Sequence, residues 1–153
     1  MLKKVDIVLV ALSSPILVGV YEDNKLIDTI TTDEKSSEVL PIIFKELLAK
    51  YEVQNLFYAN GPGSFMAIKV AYIFLKSISI LKNIPLYARD AFYFNENQPI
   101  KAIAKLYFVN ISSEIKTQKL EKAPQSEFRL RDVLEYDEFS KKSTPLYSIG
   151  AVG

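Results

Sequence analysis

The chain has 153 residues, is 49% hydrophobic and 24% charged, and carries a net charge of +1. That is an ordinary globular balance for one domain or two small lobes, and it gives no support to a nucleic-acid-coating surface. Cysteine and histidine are both absent, which excludes disulfides, thiol chemistry, Ser-His-Asp and Cys-His catalysis, and metals held by thiolate or imidazole. Any catalysis would have to use carboxylates, Lys, Tyr, Ser or backbone groups. Leu2-Lys3-Lys4 followed by Ile7 to Leu12 has the outline of a secretion signal. Asp6 interrupts it, the apolar run is six residues, and no Ala-x-Ala pattern follows, so the expectation is a cytoplasmic protein.

In chain order, Lys4 to Leu12 reads as a buried strand, Ser13-Ser14-Pro15 as a turn, and Ile16 to Tyr21 as a second strand. Asp23-Asn24 tolerates left-handed backbone and predicts a hairpin to a third strand, Leu26 to Thr31, completing an antiparallel meander. A first helix runs to about Tyr51, with Leu40, Ile43, Phe44, Leu47, Leu48 and Tyr51 at helical spacing; Pro41 is expected near its first turn. Leu56 to Ala59 is a fourth strand. A second helix follows from about Ser64 to Leu81, ended by Asn83 and Pro85, and Leu86 to Ala88 is a fifth strand. The order βββαβαβ predicts an α/β fold, a mixed five-stranded sheet with crossover helices. Further on, Asp90 caps a short helix through Phe94, Ile103 to Val109 reads as a strand, and Glu114 to Leu120 as its partner. Phe128 to Leu134 is an amphipathic element whose type the pattern leaves open, and residues 138–144 read as polar and mobile.

The densest signal is the join of the fourth strand to the second helix, Tyr58-Ala59-Asn60-Gly61-Pro62-Gly63-Ser64-Phe65. Strand, glycine turn and helix N-terminus form an anion-favouring geometry, with free backbone N–H groups and the positive end of the helix dipole. Gly61, Gly63 and Ser64 are the candidate phosphate-turn residues, Ser64 being a competent N-cap. Neither the GxxxxGK[ST] loop nor the three-glycine dinucleotide fingerprint is present. A glycine turn that binds nothing is the plain alternative.

The second helix raises a separate question. Thirteen of the seventeen residues from 65 to 81 are apolar, so it has little polar face and calls for cover on nearly every side. The first helix adds Val39, Ile42 and Ala49 on a second flank. One sheet covers one side of each helix. Either the residues beyond 90 cover the other sides, or the helices form a protein–protein surface, for which Phe65, Met66, Tyr72 and Phe74 are suited.

Gly61-Pro62-Gly63-Ser64-Phe65, followed by Met66-Ala67-Ile68-Lys69, resembles the GPGSFTGLR hallmark of the bacterial TsaB (YeaZ) family. Ser37-Glu38-Val39-Leu40-Pro41 is similar to the opening of that family's first helix, with Ser36 where a histidine stands, and the meander and the Ile84-Pro85 step also correspond. Pro145-Leu146-Tyr147 is similar to a Pro-x-Tyr near many family C-termini. One departure is Val10-Ala11-Leu12-Ser13, where the family has Ile-Asp-Thr-Ser; the missing carboxylate argues against nucleotide hydrolysis.

The resemblance, over residues 4 to 90, implies an actin-like ATPase (ASKHA, ribonuclease-H-like) lobe in residues 1–90 and a reduced C-terminal lobe or arm in 91–153. It implies a non-catalytic scaffold that binds and activates TsaD, the subunit that forms N6-threonylcarbamoyladenosine at position 37 of tRNA. It also implies recruitment of the small ATPase TsaE, and neither cofactor nor metal. The family docks through its first two helices. Candidate interface residues are Leu40, Ile43, Phe44 and Leu47 on the first, and Lys69, Tyr72, Ile73 and Lys76 on the second. A charge at the centre, such as Ile43→Asp, is expected to break the heterodimer and spare the fold. Without its partner the apolar face favours a homodimer, and nothing supports a membrane or direct tRNA contact. The alternative is a nucleotide- or phosphate-binding protein using Gly61 to Ser64 with Lys69. A hydrolase built on Ser64 and Lys69 is disfavoured, because residues five apart on a helix do not meet.

Overall fold

The computed structural model describes residues 1–122 and 127–146. Strands β1 (Lys3–Val10), β2 (Ile16–Glu22) and β3 (Lys25–Thr32) lead to helix α1 (Ser36–Lys50), strand β4 (Tyr51–Ala59), helix α2 (Phe65–Lys82) and strand β5 (Leu86–Arg89). A 3-10 turn at Ala91–Phe94 is followed by β6 (Ile100–Ile103), β7 (Leu106–Ile111) and β8 (Glu114–Lys119). The five-stranded sheet has the order β3-β2-β1-β4-β5. The meander pairs antiparallel and β1-β4-β5 pair parallel, as the βββαβαβ order predicts.

Central strand β1 is apolar on both faces because both are buried. Val5, Ile7 and Leu9 pack against Leu40, Phe44 and Leu47 of α1 and Leu75 of α2. Val8 and Val10 face the other way, toward Phe57, Tyr87, Phe92, Phe94 and Phe108. Phe57 centres this second layer, with ring centroids 5.2 Å from Tyr87, 5.5 Å from Tyr136 and 4.8 Å from Phe139. Both helices therefore cover one face of the sheet, and they meet edge to face at Phe44 and Phe74.

Local signals hold where expected. Asp23 and Asn24 take φ of 50° and 66° in the hairpin, Asn83 ends α2 at φ 55°, and the Asp90 side chain accepts from the Phe92 N–H. Pro41 departs from expectation: it lies inside α1 beyond the first turn, where it is exposed and one helical hydrogen bond is missing. The fourth strand starts at Tyr51, five residues earlier than the apolar run suggests. The expected single strand from Ile103 to Val109 is two, turning at Ala104 with φ 52°. β8 pairs antiparallel with β7 as expected.

Residues beyond 90 serve two purposes. β6, β7 and β8 form a separate three-stranded sheet, while residues 127–146 form an extended arm across the aromatic layer. The arm joins one edge of the five-stranded sheet through Leu26 N–H to Asp132 O and Leu134 N–H to Asn24 O, at 2.9 and 2.7 Å. It joins the other through a reciprocal pair between Ala88 and Ser140, at 2.9 and 2.8 Å. The Arg131 guanidinium lies 3.8 Å from the centroid of the Tyr93 ring and donates to the Tyr93 carbonyl at 3.0 and 3.2 Å. Residues 138–144, expected to be mobile, are thus hydrogen-bonded in place. Phe128 to Leu134 is neither helix nor strand; it meets β3 at a single bridge between Val133 and Lys25. Tyr147 lies outside the described residues.

A bulge between Val5 and Asp6 shifts the β1-β4 register and sets Asn55 opposite Asp6, whose carboxylate accepts from the Asn55 amide at 2.8 Å. Burial raises the Asp6 carboxyl above its ordinary value, and the hydrogen bond from Asn55 opposes that. A carboxyl raised on folding holds its proton more tightly in the folded chain, so stability falls as pH rises from the ordinary aspartate value through the raised one. Urea unfolding at a series of pH values should show this decline in the wild-type chain and a flatter profile in Asp6→Asn.

Candidate functional site

Two places were marked by the sequence, the glycine turn and the helix surface. Gly61 is buried at φ 119°, a conformation that L side chains rarely adopt. A Cβ there would approach the Leu146 carbonyl oxygen to 3.0 Å and the Ile68 Cδ1 to 3.1 Å. The Gly61 carbonyl accepts from Ala91 N–H at 2.7 Å. Asn60 next to it is held by Leu146 N–H at 2.7 Å and donates its amide to the Thr144 carbonyl at 2.9 Å. Tyr58 donates its hydroxyl to the Ser143 carbonyl. The first half of the turn is therefore occupied by the chain's own arm, and Gly61 serves that contact.

The second half is open. Gly63 and Ser64 line a cleft of about 500 Å³ with Leu12, Ser13, Lys101 and Tyr107. Ser64 caps α2, its Oγ accepting from Ala67 N–H at 3.4 Å. Ala11 is buried among the helix-side core residues, so no carboxylate stands at that end of β1. Among the described residues no group of three or more Asp or Glu is placed to hold a metal ion. Lys69 does not line the cleft; it is exposed along α2.

The candidate interface residues separate by packing. Leu40, Ile43, Phe44 and Leu47 are core side chains, 0%, 7%, 1% and 4% exposed, and offer a partner nothing. Helix α1 turns them toward the sheet, and its outward side carries Glu38, Lys45, Glu46 and Lys50 with the exposed Ile42. Tyr72 is half-buried, its ring stacked 6.2 Å from that of Tyr58. Lys69 and Ile73 point outward, and Lys76 is half-buried at the edge of the same face. The residues that dominate this face are Met66, Ile73, Ile80 and Leu81, at 61%, 53%, 70% and 81% exposure. Ile80 and Leu81 were not among the candidates, although the spacing Met66, Ile73, Ile80 was visible. The arm and the three-stranded sheet pack on the opposite side of the five-stranded sheet, so the outward face of α2 stays uncovered by the described residues. No helix among those residues is long and apolar enough to cross a membrane.

No protein-family model and no curated protein matches the sequence. Solved structures do match. An uncharacterized protein described as similar to peptidase YeaZ, from Pseudomonas aeruginosa, aligns at a TM-score of 0.58 and 13% identity, covering 80% of this chain and 69% of that one. YeaZ from Pseudomonas aeruginosa aligns at 0.55 and 13%, covering 81% and 66%. The fold is that of the YeaZ-like proteins, an α/β arrangement with a mixed five-stranded sheet and two helices.

The two helices make opposite forecasts for an inserted charge. Ile43→Asp buries an unpaired carboxylate and should cost on the order of 4 kcal/mol, a large share of the stability of such a domain. Ile73→Asp should stay within about 0.5 kcal/mol of wild type. Thermal unfolding followed by circular dichroism checks both.

Proposed function

We propose that the chain is a non-catalytic partner subunit of the TsaB type, with an actin-like lobe, that binds and activates a TsaD-like catalytic subunit in threonylcarbamoyl modification of tRNA. The observation that carries this reading is the uncovered apolar face of α2 on a YeaZ-like fold. A large exposed apolar patch on a soluble domain marks a partner surface. The hallmark-like Gly61 to Phe65 segment lies at the start of that helix. The absence of histidine from the whole sequence and the alanine at position 11 favour a scaffold over a catalyst. A TsaE-like ATPase is the second partner this role brings, and the setting is the cytoplasm.

A second reading, anion binding, is favoured by the cleft beside Gly63, Ser64 and Lys101. The arm seated on Gly61 and the placement of Lys69 outside the cleft weigh against it.

Co-purification with the TsaD-like protein of the same organism, weighed by light scattering, tests the main reading. The wild-type chain should give a heterodimer, and Ile73→Asp should weaken it at least about 30-fold while remaining folded. Titration of the isolated chain with ATP and Mg²⁺ should give no binding heat. A soluble, monomeric wild-type chain that forms no complex would contradict the partner-subunit reading.

A further inference from the structure

We propose that the outward face of α2 receives a helix of a different protein, one whose apolar stripe is flanked by carboxylates, in preference to a second copy of this chain. This rests on the partner-subunit reading above and gives that partner its chemistry.

The first observation is spacing. Met66, Ile73 and Ile80 recur every seven residues and are all more than half exposed. On a straight helix a seven-residue repeat drifts by only about 20° per step. The three side chains therefore form a line along α2, and a helix laid at a shallow angle of about 20° stays in contact along its length.

The second observation is charge. Helix α2 contains Lys69, Lys76 and Lys82 and no acidic residue. Lys69 and Lys76 border one side of the line, within about 60° of Ile73 around the helix axis. Neither is in an ion pair among the described residues. An antiparallel two-fold pairing of α2 with itself would bring lysine edge against lysine edge, and a parallel one would set them against uncharged residues. The acids that a second copy could offer from α1, Glu38 and Glu46, share their outward surface with Lys45 and Lys50. A foreign helix bearing Asp or Glu beside its apolar stripe meets both demands, and like-charge contact disfavours self-association.

The full chain, titrated against the TsaD-like protein of the same organism at low and high salt, tests this. The variants are the double charge reversals Lys69→Glu and Lys76→Glu and the double neutralisation Lys69→Ala and Lys76→Ala, each first confirmed folded by its unfolding temperature. The wild-type complex should weaken roughly tenfold or more between about 50 and 500 mM salt. The charge-reversed chain should bind at least about tenfold more weakly at low salt and tighten as salt rises, while the neutralised chain lies between and loses most of the salt dependence. A complex indifferent to salt and to both variants would overturn the acidic partner and leave the partner-subunit reading standing. Failure of the wild-type chain to bind at all would overturn both. A homodimer tighter than the complex, unchanged by the lysine variants, would make a second copy the occupant and overturn the proposal.

Discussion

A helix that is apolar around most of its circumference cannot be satisfied by a single sheet, and α2 is such a helix. Ile68, Ala71 and Leu75 face inward and are buried at 1%, 2% and 0% exposure. Their counterparts on the outer side are Met66, Ile73 and Ile80. The other described elements that could have covered them are committed elsewhere. Helix α1 lies beside α2 on the same face of the sheet, and its own apolar side is spent on the core. The three-stranded sheet and the arm lie on the far side.

That commitment has a physical origin. The far face of the five-stranded sheet is aromatic, with Phe57, Tyr87, Phe92 and Phe94, and needs cover of its own. The arm supplies it, and also caps both sheet edges at Asn24 to Leu26 and at Ala88. Unpaired strand edges invite association, and these backbone hydrogen bonds occupy one stretch of each edge. The same arm reaches Asn60 and Gly61 and occupies the first half of the glycine turn. Among the described residues, the arm ties each sheet edge at one bridge and covers the aromatic face, and the outward side of α2 stays open.

The first 90 residues were largely legible. β1 declares itself by the apolar run from Ile7 to Leu12, Asp23-Asn24 by its tolerance of positive φ, and α2 by Ser64 at one end and Asn83 at the other. The turn at Ala104 was not legible, because alanine gives no sign of left-handed backbone. The arm was hidden because its polar residues are held through backbone groups of Asn24, Ala88 and Asn60, far away in sequence. On α1, Ile42 and Ile43 are adjacent and equally apolar, yet one is 60% exposed and the other 7%. Periodicity shows that such a helix has two apolar flanks; only packing decides which meets the sheet. The candidates on α1 therefore fall on its core side, while on α2 Lys69 and Ile73 are exposed and Lys76 is half-buried.

The absence of cysteine from the sequence allows the central claim, that the outward face of α2 is a partner surface, to be tested with one label. Ser77 is exposed next to the apolar line, so Ser77→Cys carrying a nitroxide spin label reports directly on that face. The label should be mobile in the isolated chain and immobilised when the TsaD-like protein is added. A label already immobilised in the chain alone at low concentration, or one unchanged in the presence of the partner, would contradict the account.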